Sequence, residues 1–252
     1  MQSSNFSGVA AAKADRVLKA LLLLFASLKF GSILLSVGSM LLTIWVYATI
    51  YGFSFAVGFI AMILIHELGH YFAARQKGLD VGLPTFIPFV GAWINLKDVP
   101  LDAETEAYIA YAGPFVGTLA AFGAYFLGRQ EHSELLIAIS YAGFMINLFN
   151  LIPISPLDGG RITQILTPRI WFLGAPMLVA LFLWHPSPLL ILIAVMAIPS
   201  LIAAWRYDPD SPEARAYRDV PANIRAEYGV MYLGLAALLA VMASNVYAEL
   251  RS

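Results

Sequence analysis

The stretch IHELGH, residues 65–70, sets His66 and His70 four residues apart with Glu67 between them. On a helix this spacing stacks both imidazoles on one face about one turn apart, so two nitrogens can reach a single tetrahedral metal ion. Glu67 then lies beside the ion without ligating it, where a carboxylate can take a proton from water acidified by zinc. The flanking residues are apolar on both sides, from AMIL to YFAA. Two histidines and a glutamate could simply satisfy one another between helices. In hydrocarbon, however, an ionisable cluster is costly and marks a functional site. The chain has no cysteine, which leaves histidine and carboxylate as its metal donors.

Two histidines leave zinc short of a protein ligand. The best source of a third is NLFNLIPISPLDGGR, residues 147–161. Asp158 follows Pro153 and Pro156, which break a helix, and precedes Gly159 and Gly160, which let the backbone turn back closely. A carboxylate on a broken helix at membrane depth is tolerated only where protein or a water-filled cavity surrounds it. Its bland alternative is a turn residue at a helix end.

The elements that must position these residues are membrane spans. With 60% apolar and 12% charged residues and a mean hydropathy of +0.76, the 252-residue chain reads as an all-α polytopic membrane protein. Apolar runs predict spans at 31–50, 54–74, 106–127, 135–152, 171–185, 188–206 and 228–248, six or seven in all depending on whether the fifth and sixth form one hairpin. Between the second and third, Pro84, Pro88 and Gly91 exclude a regular helix, and VGAWINL at 90–96 predicts a short strand or re-entrant element. The expected organisation is an interfacial amphipathic segment over 1–30, a catalytic transmembrane domain over 31–206 with its core at 54–165, a cytoplasmic loop over 207–227, and a last transmembrane helix within 228–252. Net charge is −1 and no nucleic-acid motif is present, so no nucleic-acid partner is expected; membrane lipid is.

Lysine and arginine favour cytoplasmic loops. Seven spans with the N-terminus inside place 13 of the 15 basic residues on the cytoplasmic side and leave Arg129 and Arg251 outside. Spans two and four both run inward. HELGH and Asp158 therefore reach the cytoplasmic side at similar depth, and His66, His70 and Asp158 can complete a ligand set with water in the fourth position.

HELGH on a span, followed about 80 residues later by NLIPISPLDGG, resembles the site-2 protease family of intramembrane zinc metalloproteases. That family's second motif has the form N-x-x-P-x-x-P-L-D-G, matched here by Asn150, Pro153, Pro156, Leu157, Asp158 and Gly159. FIPFVGAWI at 86–94 and EAYIAYAGPFVG at 106–117 are similar to further family segments. The resemblance implies one zinc per chain on His66, His70 and Asp158, with Glu67 as base and Asn150 donating a hydrogen bond to the scissile carbonyl oxygen. It implies an endopeptidase acting on transmembrane protein or peptide substrates, as in regulated intramembrane proteolysis. A substrate helix must unwind to expose a peptide bond, and the 90–96 segment offers an edge to which the unwound stretch can add as a strand, replacing its lost hydrogen bonds. No segment has the length of a PDZ or CBS domain, so a minimal catalytic core is expected. A membrane metal-ion transporter using the same cluster as a transit site is the competing reading.

Other residues carry quieter expectations. His132 and His185 fall in outer loops. Arg161 reads as a cytoplasmic anchor, with steadying of the Asp158 loop as the alternative. Gly113 and Gly117 flank Pro114, which suggests close helix packing or an irregular helix lining the site. Asp80, Asp98, Asp102, Glu104 and Glu106 read as a solvated acidic patch.

Overall fold

A computed structural model of the chain describes residues 31–93 and 102–251. The predicted N-terminal amphipathic segment, Lys97, Asp98 and residues 94–96 of the predicted strand lie outside that set. Among the described residues, seven apolar helices match the seven predicted spans: α1 (Gly31–Tyr51), α2 (Phe53–Gln76), α3 (Ala103–Gln130), α4 (Glu134–Asn150), then α6 (Trp171–Trp184), α7 (Pro188–Trp205) and α9 (Ala222–Leu250). Two short helices are interposed, α5 (Asp158–Thr163) and α8 (Pro212–Tyr217). Five of the helices are long and apolar enough to cross a membrane. At 17 and 14 residues, α4 and α6 are shorter than the roughly 20 residues a bilayer core requires.

The strand expected between the second and third spans is present. β1 (Thr85–Ile87) pairs antiparallel with β2 (Gly91–Trp93), Phe86 opposite Ala92, around a turn over 88–90 in which Phe89 has φ +64°, followed by Gly91 at φ +121°. The hairpin is fastened to α1 by polar side chains. Ser36 Oγ donates to Pro84 O at 2.5 Å, Ser39 Oγ accepts from Phe86 N at 3.1 Å, and Tyr47 Oη accepts from Phe89 N at 3.2 Å. α1 in turn folds back along α2, where Tyr47 meets Phe59 with ring centroids 5.2 Å apart.

Helices α2, α3 and α4 form the central bundle. Asp102 starts α3, its Oδ1 accepting from Thr105 N at 2.7 Å, and Ser133 starts α4. α9 packs on α3 and α4 through Leu235, Leu239, Ala243 and Val246 around the fully buried Phe144. It begins at Ala222, six residues before the apolar run, because Pro221 at its N-cap opens a helix whose first turns are polar.

Pro153 and Pro156 end α4 at Asn150, and residues 151–157 cross the interior as irregular, mostly buried backbone. Such backbone needs partners inside the protein. Ile154 N donates to Ile152 O at 2.8 Å, Leu157 N to Ile154 O at 2.9 Å, and the Tyr232 hydroxyl of α9 to Leu151 O at 2.6 Å. The indole of Trp171 donates to Gly160 O at 2.8 Å. The α6–α7 pair covers the segment, with Ile152, Ile154 and Leu157 packed against Trp171, Leu178 and Ile193.

Candidate metal centre

The central bundle brings the predicted cluster together. His66 Nε2 and His70 Nε2 lie 3.1 Å apart, and Asp158 Oδ2 is 3.1 Å from the first and 3.2 Å from the second. All three residues are buried, at 3%, 7% and 7% exposure, across more than eighty residues of sequence. Glu67, also buried, sits within electrostatic reach of both histidines, Asp158 and Arg161.

The other ring nitrogens fix what these atoms are. His66 Nδ1 is 2.8 Å from Asn147 Oδ1, and His70 Nδ1 is 2.8 Å from Ile109 O. Asn147 Nδ2 donates to Gly143 O at 2.7 Å, which assigns Oδ1 to the histidine. Both partners are acceptors, so each Nδ1 carries a proton, and in the neutral imidazole each Nε2 presents a lone pair. Two imidazole nitrogens and a carboxylate oxygen therefore converge on one point. With both rings neutral their lone pairs repel, and a cation between them, a metal ion or a proton on one ring, relieves that repulsion. Two ligands about 2.0–2.1 Å from a tetrahedral ion lie about 3.3 Å apart, close to the edges seen here, so the donor set fits zinc.

Glycines make room for this geometry. A Cβ on Gly113 would strike His70 Nε2, and one on Gly117 would strike Asn147 Oδ1. A Cβ on Gly69 would come within 2.5 Å of Ala112 O, so α2 and α3 touch backbone to backbone beside the histidines. Both sequence alternatives for Gly113 and Gly117 thus hold at once, since close packing is what lets α3 line the site. Pro114 leaves Ala110 O without its helical donor and opens the ladder next to Ile109, whose carbonyl receives His70. Gly159 and Gly160 let α5 rest on the Leu151–Ser155 backbone, where a Cβ on either would collide with carbonyl groups.

Asn147, which carries His66, was not singled out by sequence reasoning. Asn150 was, and its Nδ2 donates back along α4 to Ile146 O at 3.1 Å. The acidic patch is not merely solvated: Asp102 caps α3, Asp80 lies 3.7 Å from Arg75, and Glu106 accepts from Arg161 Nε at 3.3 Å. His132 and His185 are exposed and take no part in the cluster.

Residues 54–133 match peptidase family M50. The match covers α2 and α3 of the central bundle. The M50 match contains HELGH and AGPFVG and ends before α4, so Asp158 joins the site through the geometry above. Among curated proteins, the chain is similar to a zinc metalloprotease of Methanocaldococcus jannaschii, 30% identical over 124 residues, 47% of this chain and 36% of that protein. It is also similar to "Probable zinc metalloprotease EGY1, chloroplastic" of Arabidopsis thaliana, 26% identical over 156 residues, 43% of this chain and 28% of that protein. The match spans about a third of the length of these relatives. Among solved structures, the site-2 protease of Methanocaldococcus jannaschii aligns over 72% of this chain and 87% of its own at 21% identity, with a TM-score of 0.44. With five helices among the described residues long and apolar enough to span a bilayer, the chain is an integral membrane protein.

The two asparagines separate in a metal-affinity experiment. Replacing Asn147 by Ala releases the His66 ring, and zinc affinity, read by chelator competition, should fall about 10- to 100-fold. Asn150→Ala should leave it within the error of the measurement. Equal effects would remove Asn147 from the site.

Proposed function

We propose that this chain is an intramembrane zinc metalloendopeptidase that hydrolyses peptide bonds in or near transmembrane segments of membrane proteins. The observation that carries the reading is the convergence of His66 Nε2, His70 Nε2 and Asp158 Oδ2 within 3.2 Å of one another beside Glu67. These three residues hold the zinc. When bound, it supplies Lewis acidity and lowers the pKa of water to about 7. Glu67, one residue on from His66, accepts the proton of the attacking water and returns it to the leaving amine. Asn150 donates to the scissile carbonyl oxygen through the Nδ2 hydrogen that its bond to Ile146 O leaves over. Asn147 and Ile109 O keep both rings in the tautomer that presents Nε2. The transporter reading lacks support, since the curated relatives are zinc metalloproteases.

Glu67→Gln should lower peptidase activity about 10²- to 10⁴-fold while one zinc per chain is retained. Asp158→Ala should lose the zinc itself. Zinc content unaffected by Asp158→Ala, measured on detergent-purified protein, would sink the ligand assignment.

The site faces the cytoplasm in this reading. Arg75, Lys77, Arg161, Arg169, Arg206, Arg215, Arg218 and Arg225 all belong to loops or helix ends on the site's side of the sequence topology, whereas Arg129 meets Glu249 at the other end, 2.9 Å away. Because the chain has no cysteine, single cysteines report sidedness directly. In intact cells, a membrane-impermeant thiol reagent should label Glu131→Cys and spare Glu213→Cys. The reverse labelling would place the site on the outer face.

Substrate is held, in the same reading, by strand addition to β2, which pairs with β1 on one edge and has no strand on the other among the described residues. Ala92→Pro should impair cleavage with zinc still bound. Unchanged cleavage would count against strand addition.

A further inference from the structure

The two carboxylate oxygens of Asp158 face different partners. Oδ2 points at the histidines, while Oδ1 lies 4.0 Å from Arg161 Nη1, one helical turn away on α5. The guanidinium is turned elsewhere: its Nε donates to Glu106 Oε1 at 3.3 Å. The second oxygen of Glu106 accepts from the Tyr217 hydroxyl. Tyr217 belongs to α8, in the polar connector between α7 and α9, and its oxygen accepts from Gln164 Nε2 at 3.4 Å. Arg218, next along, donates through Nε to Gln164 O at 3.1 Å and lies over the rings of Tyr207 and Tyr217. Burial, followed by the neighbouring Glu106 carboxylate, pushes the Tyr217 phenol well above its usual range, so it remains a donor.

An arginine three residues from a carboxylate on one helix can close on it as a bidentate fork, a strong pairing where water is scarce. Here that pairing would take Oδ2 away from the histidines. We propose that Glu106, held by Tyr217, restrains Arg161 and so keeps Asp158 available to the metal. The inference rests on the reading of His66, His70 and Asp158 as a zinc site. Glu106 and Tyr217 are positioning residues, acting on Asp158 only through Arg161. The connector that supplies Tyr217 is thereby coupled to the ligand set, although it contributes no ligand.

The test is zinc affinity by chelator competition on the full-length protein in detergent, without reference to cleavage. Glu106→Gln keeps the shape and removes the charge that holds Arg161; affinity should fall about tenfold or more. Tyr217→Phe keeps the ring and should move affinity the same way by less. The decisive variant is Glu106→Gln combined with Arg161→Gln. With no guanidinium left to capture Asp158, affinity should return to within about threefold of wild type, a strongly non-additive result. A double variant as weak as Glu106→Gln, or weaker, would show that the loss is structural and overturn the proposal. So would wild-type affinity in Glu106→Gln. If the wild-type protein takes up no zinc, the metal reading itself falls, and this proposal with it; if wild type binds and only the double variant fails to recover, the metal reading stands.

Discussion

Three donor atoms brought to one buried point are the constraint around which this protein is built. His66 and His70 cannot present their Nε2 atoms to each other at 3.1 Å, with a carboxylate oxygen at 3.1 and 3.2 Å, unless the scaffold holds them there and a cation relieves them. The scaffold does so by spending the opposite nitrogens. Asn147 and the Ile109 carbonyl each take one Nδ1 proton, so a tautomer that would let the rings hydrogen-bond to each other is excluded. Every helix of the central bundle contributes one element of this arrangement: α2 the rings, α3 a backbone carbonyl, α4 an amide.

Packing must then bring three helices closer than ordinary side chains allow. In a bilayer, no hydrophobic drive pulls helices together, and small residues that permit backbone contact take over. Gly69 against Ala112, Gly113 against the His70 ring and Gly117 against Asn147 are such contacts, and each lies within one turn of a site residue. The same economy recurs below the site. Gly159 and Gly160 seat α5 directly on the Leu151–Ser155 backbone, and Gly174 of α6 abuts Pro153 and Ile154. Closeness at these positions and the placement of Asp158 are one requirement.

Much of this was legible in the chain. The i, i+4 histidines define a helical face by spacing alone, and the apolar runs gave seven helices whose bounds fall within a few residues of α1–α4, α6 and α7. Asp158 stood out in the proline- and glycine-broken stretch after the fourth span, and the shared direction read for spans two and four supported it. What was not legible depends on rotation and long separation. Asn147 and Asn150 are three residues apart on α4, and only the packed structure shows that Asn147 is the one turned to His66. Glu106 and Tyr217 meet across 111 residues, from two stretches that each look like solvated polar loop. Charge composition identifies such stretches as polar but carries no signal that they pair with one another.

Irregular backbone is the expensive part of a membrane protein, because hydrocarbon offers no partner for a free N–H or C=O. Residues 151–157 avoid that cost through local turns and through a donor from another helix, the Tyr232 hydroxyl, while Trp171 holds α5 just beyond at Gly160 O. A regular continuation of α4 would have satisfied its own hydrogen bonds but would have carried Asp158 about 12 Å further along the helix axis, at about 1.5 Å per residue, and off to one side. Breaking the helix instead folds the chain back so that the carboxylate meets two imidazoles from a different helix. The two prolines and two glycines of PISPLDGG therefore have opposite duties. The prolines deny the helix its continuation, and the glycines allow the returning backbone to lie against the segment it has just left.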